Sequence, residues 1–314
     1  MLSVTRRIKT AYQPKTGYVP KELFNFITFE DAKTLNNIDP KLAPIQGIAT
    51  DYLTRFLLTG DKESAFDISF KGAEALDYFK QTDENVNNAK RLLDGVQSLD
   101  SESIRNVCEL SIYDSAYRAG IHAYKRDKSI IDLFNYNLFD NIETLVNRSL
   151  EFFKTQKPLT LSGFNFEGGY TELVSAGDGD YLTEDTLIDL KCSKSEFKRE
   201  WSLQLLMYYL LGIHSNHKEF DTVTKLSIFN AVRNQSLVCN IDEISDNTKF
   251  IVSERILGYA MQYPSEDWNI DGIARYYSWR EVRKDLTNYS AIIDYAVEIE
   301  QRKEAELNEI IYCR

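Results

Sequence analysis

Cysteine, proline and histidine are all scarce in this chain of 314 residues, which carries four, six and three of them. The thiols Cys108, Cys192, Cys239 and Cys313 lie far apart with no Cys-x-x-Cys pair, which argues against a disulfide framework or a structural zinc site. They read as ordinary reduced cysteines. His122, His214 and His217 show no metal-ligand spacing to one another and are expected to be structural. Glycine numbers only 14, so neither a collagen-like nor a disordered chain is in play. No apolar run reaches the ~20 residues of a membrane span; the longest, around Leu203–Ile213, is broken by Gln204. The basic residues near the N-terminus have no apolar stretch behind them, so no secretory signal is expected and a cytoplasmic protein is. An excess of basic charge is also missing. With 37 basic against 48 acidic residues the net charge is −11, which lacks the overall electrostatic footprint of a nonspecific nucleic-acid binder. A phosphate-bearing partner would need a local basic patch or a metal ion.

What remains is the balance of a chain that buries a core: 43% hydrophobic, 12% aromatic and 27% charged residues. From about Val19 to Lys157 apolar residues recur at three-to-four spacing, predicting helices over Ile45–Thr59, Ala65–Phe79, Glu84–Val96, Ser101–Lys128 and Asn137–Thr155. Lys157-Pro158 ends this regime, because proline disfavours helix in the residue before it. An extended piece at Gly163–Phe166 follows, then strands near Thr171–Ala176, Asp180–Thr183 and Thr186–Lys191 and a helix over Phe197–Ile213. Strands at Thr224–Ala231 and Ser236–Ile241 flank a hairpin loop, Val232–Gln235. The rest, Ser245–Arg314, reads as helix, ending in the charged stretch Ser290–Ile310 with a solvated face. The expected class is therefore α+β, divided into a helical region (1–157), a mixed core (158–244) and a C-terminal helical region (245–314). The helix near residues 45–59 is a candidate member of that core.

The chemistry concentrates in Gly177-Asp178-Gly179-Asp180-Tyr181-Leu182-Thr183-Glu184-Asp185-Thr186-Leu187-Ile188-Asp189-Leu190-Lys191. An isolated Asp-x-Lys is expected about once by chance in a chain of this length. Here its setting matters. If Glu184-Asp185 is a two-residue turn, Thr183 pairs with Thr186, Leu182 with Leu187, Tyr181 with Ile188 and Asp180 with Asp189. The two carboxylates then oppose each other, and Lys191, two residues beyond Asp189, shares their face. Oxygen donors around a small volume suit Mg²⁺ or Mn²⁺ rather than zinc, and such ions assist attack on phosphate. An ordinary hairpin with charged ends is the alternative. It is disfavoured by the cost of setting two carboxylates and an amine among apolar residues without an ion.

These residues resemble the signature of the PD-(D/E)XK nucleases of the RecB-like group. Asp180, Asp189 and Lys191 match the family's Asp and its following (D/E)-x-K, with Gly179 in place of the proline of the family name. Gln204-Leu205-Leu206-Met207-Tyr208 matches a Gln-x-x-x-Tyr motif on the next helix, its ends one turn apart on one face. The resemblance implies a restriction-endonuclease-like αβββαβ core with a mixed central sheet. It implies metal held by Asp180, Asp189 and the main-chain carbonyl of Leu190, and Lys191 and Gln204 acting on water and phosphate. Hydrolysis of DNA, or possible RNA, to 5′-phosphate and 3′-hydroxyl ends is the implied activity. Gly47-Ile48-Ala49-Thr50-Asp51 fits a further Gly-x-x-x-His element, with Asp51 where the metal-approaching His would stand. An iron–sulfur cluster of the kind some relatives carry is not expected, since Cys313 alone lies near the C-terminus.

Around this set several residues have two readings. Glu172 is either a further metal ligand or a cross-strand partner, and Asp178 is a rival first ligand better suited to a turn. Tyr208 either packs beneath Gln204 or contacts substrate. Lys194, Lys198 and Arg199 form either a phosphate track or a solvated loop. Arg233 is either a backbone-phosphate contact or a solubilising loop residue. Tyr12, Tyr18, Phe24 and Phe26 suit core packing better than base stacking. A noncatalytic nuclease-like subunit, binding nucleic acid, protein partners or a second copy of itself, is the competing function. An all-helical scaffold with an incidental hairpin would predict no mixed sheet.

Overall fold

The computed structural model describes residues 2–259. The expected helix at Ser290–Ile310 and Cys313 lie outside them. A short strand β1 (Leu2–Ser3) leads into α1 (Val4–Thr10), and a further strand β2 (Asn25–Thr28) follows. The long helix α2 (Ala43–Thr59) carries Pro44 in its first turn, where no backbone donor is needed, and stops at Gly60 with φ 73°. A helical lobe continues through α3 (Lys62–Ala65), α4 (Asp67–Lys80), α5 (Glu84–Asp94), α6 (Ser101–Ser111), α7 (Tyr113–Ala119) and α8 (Ile121–Lys128). The single helix expected over Ser101–Lys128 is thus three, interrupted at Ile112 and at Gly120. Helix α9 (Tyr136–Lys154), capped by the side chain of Asn135 on the Leu138 N–H, returns the chain to the sheet.

The remaining elements are β3 (Leu159–Phe164), β4 (Val174–Ala176), β5 (Gly179–Thr183), β6 (Thr186–Lys191), α10 (Arg199–Ile213), β7 (Lys225–Asn230), β8 (Gln235–Asn240) and α11 (Asp246–Ile251). The six-stranded sheet runs β2-β8-β7-β6-β5-β3. Its one parallel pair is β6 with β7, joined by the crossover helix α10, while the other neighbours are antiparallel. The fold is therefore mixed α+β around a mixed sheet, and the all-helical alternative is excluded. Short β1 pairs in parallel with β4 in a separate two-stranded sheet. The sequence reading missed β1 and β2. It also placed the start of the first long strand at Gly163 instead of Leu159.

The period-two alternation of the strands sorts their side chains onto two faces. Leu182, Leu187, Leu226, Ile228 and Leu237 pack with α10, a helix apolar on almost every side because it is buried between the sheet and α1. Tyr181, Ile188, Leu190 and Phe229 pack on the opposite face against Leu145, Phe152 and Phe153 of α9. There the Phe152 and Phe229 rings stack with centroids 4.2 Å apart. A third core fills the helical lobe between α2 and α9. Buried Arg148 of α9 ties three distant segments together. It ion-pairs Asp31 at 2.5 Å and donates to the carbonyls of Lys33, Ala231 and Val232 at 2.9–3.1 Å. The boundary read at 157/158 therefore falls between α9 and β3, close to where α9 packs on the sheet.

Candidate functional site

The hairpin forms in the expected register: Tyr181 pairs with Ile188 and Leu182 with Leu187, around the two-residue turn Glu184-Asp185. Alternation along β6 then sends Asp189 and Lys191 to the α10 face while Ile188 and Leu190 enter the opposite core. Past Tyr181 the chain turns its Asp180 carboxylate inward, where Oδ2 accepts the Leu190 N–H at 2.9 Å. Asp189 is 2% exposed. Its Oδ2 meets the Lys191 ammonium at 2.5 Å, yet among the described residues no donor reaches that oxygen with regular hydrogen-bond geometry. Lys191 Nζ also donates to Gln204 Oε1 at 2.9 Å, and Gln204 Nε2 donates to the Tyr208 hydroxyl at 3.0 Å. An unbroken chain of contacts thus runs from Asp189 through Lys191 and Gln204 to Tyr208.

Burial governs the electrostatics of this cluster. It pushes Asp189 up to about 7, with the nearby Asp180 charge adding to the rise and Lys191 opposing it. Asp180 is lifted to about 6, by burial first and repulsion from Asp51 second, against the pull of Lys191 and Arg55. Lys191 is depressed by burial, but the carboxylates of Asp189, Asp180 and Asp51 outweigh that and hold its proton more firmly than usual. The lysine is a cation here and not a free base. A buried and a partly buried carboxylate that both resist ionisation offer a seat for a hard divalent cation, which would relieve their mutual repulsion. The chemistry of the donors fits Mg²⁺ or Mn²⁺: carboxylate oxygens, one of them without a regular hydrogen bond, and the peptide between Leu190 and Lys191. Among the described residues no group of three or more His, Cys, Asp or Glu is arranged to hold a metal. Protein ligation would therefore rest on Asp180, Asp189 and backbone oxygen.

The extra ligands considered from sequence are placed differently. Glu172 is exposed on the bend before β4, a strand that belongs to the small sheet with β1. Asp51 does reach the site from α2, with its carboxylate paired. Arg55 meets Oδ2 at 2.6 Å and Oδ1 at 3.1 Å, and the Tyr181 hydroxyl donates to Oδ1 at 2.8 Å. Asp178 is ion-paired with Arg118 at 3.1 Å.

The basic residues are divided. Lys194 and Lys198 are exposed, Lys198 lying 5.4 Å from the Trp201 ring centre. Arg199 is engaged by the Pro14 carbonyl at 3.1 Å and by Glu200 at 3.3 Å. Arg233 braces the loop after β6, donating to the Lys194 carbonyl at 3.3 Å. Buried Phe24 and partly buried Tyr18 and Phe26 serve the core, whereas Tyr12 is 79% exposed. His217 Nε2 donates to the Asn165 carbonyl at 3.0 Å, and burial holds His214 down to about 4 against the ring of Tyr259.

Arg55 was absent from the sequence reading. Its guanidinium sits 3.5 Å from Asp180 Oδ1, 125 residues away in sequence. It also lies 5.6 and 5.7 Å from the Tyr52 and Tyr181 ring centres. Gly163 makes room for it: with φ 57°, a Cβ there would come within 2.3 Å of Arg55 Nη1. The Asp51–Arg55 spacing of four on a helix was the available signal, but that pattern usually marks a surface ion pair. Among the described residues no helix is long and apolar enough to cross a membrane. No protein-family model, curated protein or solved structure matches the chain.

Proposed function

We propose that the protein is a Mg²⁺- or Mn²⁺-dependent nuclease of the PD-(D/E)XK type that hydrolyses DNA phosphodiester bonds. One observation carries this reading: Asp180, Asp189, Lys191 and Gln204, from two strands and a helix, meet in one partly buried cluster with Lys191 contacting both Asp189 and Gln204. The element order agrees with it, since β3, β5 and β6 form a meander and α10 crosses to the parallel neighbour β7, with α9 on the opposite face. With β4 set aside in the small sheet, this succession is compatible with an αβββαβ core and supports the reading.

A bound divalent ion would polarise the scissile phosphate and lower the pKa of attacking water. Asp180 and Asp189 would hold it, together with the Leu190 carbonyl. Lys191 stays protonated among three carboxylates, so its part is to orient water and offset charge developing on phosphoryl oxygen. Gln204, fixed by Lys191 and Tyr208, presents its amide in one orientation toward the same volume. Lys194 and Lys198 supply the local positive charge that an acidic chain otherwise lacks.

The test uses the purified full chain with linear, circular and single-stranded DNA and with RNA. Cleavage is expected only with added Mg²⁺ or Mn²⁺, is expected to stop with chelator, and should vanish in Asp189→Ala and Lys191→Ala variants that keep wild-type circular dichroism. Absence of Mn²⁺ binding by calorimetry, with nucleic acid still bound, would replace this reading with that of a noncatalytic binding subunit.

A further inference from the structure

The position of Arg55 bears on how many ions the centre can take, and the inference rests on the metal-dependent reading above. Two-ion phosphodiesterases clamp attacking and leaving oxygens between cations about 3.5–4 Å apart, which requires carboxylates enough for both. Here Asp180, between Arg55 and Lys191, has Oδ1 turned to the guanidinium of Arg55 at 3.5 Å and Oδ2 to the Leu190 N–H at 2.9 Å. Asp51, the further carboxylate on that side, is filled by Arg55 and by the Tyr181 hydroxyl. Charge points the same way. With every group ionised, three aspartates face two fixed cations, Arg55 and Lys191, so the cluster carries one net negative charge. One divalent ion reverses that sign, and a second would leave a large uncompensated positive charge in a partly buried site.

We infer that Arg55 occupies the place of a second cation, making this a one-ion centre in which a guanidinium, aimed by Asp51 and Tyr181, positions Asp180. The side chain is built to stay. It is buried, paired on both sides, flanked by two aromatic rings and passed over the bare backbone of Gly163. Arg55 is a positioning residue in this scheme, acting through Asp180 and not on the phosphate.

Calorimetry of the full chain with Mn²⁺ alone, paired with electron paramagnetic resonance of the bound ion, tests it without any turnover. The wild type should bind one Mn²⁺ and give the spectrum of an isolated ion. Arg55→Gln, which removes the charge and releases Asp51, should bind two and show the broadening of a coupled pair. Arg55→Lys should restore a single ion. Two ions in the wild type, or one in a folded Arg55→Gln, would overturn the inference while leaving the nuclease reading intact; no binding in any variant would sink the metal-dependent reading itself. Should Arg55→Gln fail to fold, the counts for wild type and Arg55→Lys decide, since two ions in either refutes it and one in both sustains it.

Discussion

Lys191 Nζ and Gln204 Oε1 lie 2.9 Å apart, joining the last residue of β6 to the second turn of α10 across the sheet–helix interface. The amine is held from its other side by Asp189, so it has one position and one charge state over the physiological range. Its removal separates chemistry from stability. In Lys191→Met, cleavage should fall by at least ~10²-fold, the usual scale for losing a group that stabilises transition-state charge. The fold should lose only ~1–3 kcal/mol, because Asp189 can take up a proton in place of its lost partner. Single-turnover rates and denaturant midpoints measure the two effects. An active Lys191→Met would remove the lysine from the mechanism.

Gln204 and Tyr208 should give graded losses. Gln204→Ala removes the amide that meets Lys191 and is expected to slow cleavage ~10–10²-fold. Tyr208→Phe deletes only the acceptor for Gln204 Nε2, so a stability cost of about 1 kcal/mol and a smaller rate effect should follow. A larger rate loss in Tyr208→Phe than in Gln204→Ala would show the phenol acting directly on substrate.

The two raised aspartates make the ion-free protein sensitive to pH. In the unfolded chain both carboxyls ionise near pH 4, whereas the folded protein keeps their protons until about 6 for Asp180 and about 7 for Asp189. Their contribution to stability is complete below pH 4 and disappears as pH rises through 6 and 7. Carboxylates shifted the other way, such as Asp100, held at about 2 by hydrogen bonds from Ser98 and Ser103, act only at lower pH. In chelator, Tm should therefore decline from pH 5 to pH 8, and the decline should be smaller in Asp189→Asn. Added Mn²⁺ should raise Tm more at pH 8 than at pH 5. A Tm that changes equally in wild type and variant would contradict the assignment.

Packing in the helical lobe offers a control remote from the chemistry. Helices α4 and α7 approach so closely at Gly72 that a Cβ there would lie 2.0 Å from the Tyr113 carbonyl oxygen. Backbone cannot yield as a side-chain tip can, so Gly72→Ala should cost about 3 kcal/mol. Thermal or denaturant unfolding checks this; a loss under about 0.5 kcal/mol, the size of an ordinary surface change, would mean the helices separate freely.

How much could be read before the structure differs from residue to residue. The pairing of Tyr181 with Ile188 was legible because a two-residue turn fixes register, and from it the common face of Asp189 and Lys191 follows by strand period. Helix α10 was legible from its apolar density, and Gln204 and Tyr208 from their spacing. Strand β2 was not: Asn25-Phe26-Ile27-Thr28 is a four-residue edge strand, mostly exposed, too short to show alternation against the helical segments after it. The pairing of Asp51 was hidden as well. Its engagement depends on Tyr181, which reaches it only once β5 and α2 pack together, 130 residues apart. Arg55 was invisible for the same reason. Local rules report neighbours along the chain, and this part of the site is made by neighbours in space.

The contacts of Arg148 set a limit on modular engineering. By gripping Asp31, Lys33 and the β7–β8 turn from α9, this one arginine staples the leader of the chain, the helical lobe and the far rim of the sheet into a single unit. A graft that transplants only the motif-bearing stretch onto another scaffold would carry all four signature side chains but sever that staple. It would also forfeit the β2 rim and the guanidinium beside Asp180. The smallest portable version of this centre begins well upstream of the hairpin on which its signature is written.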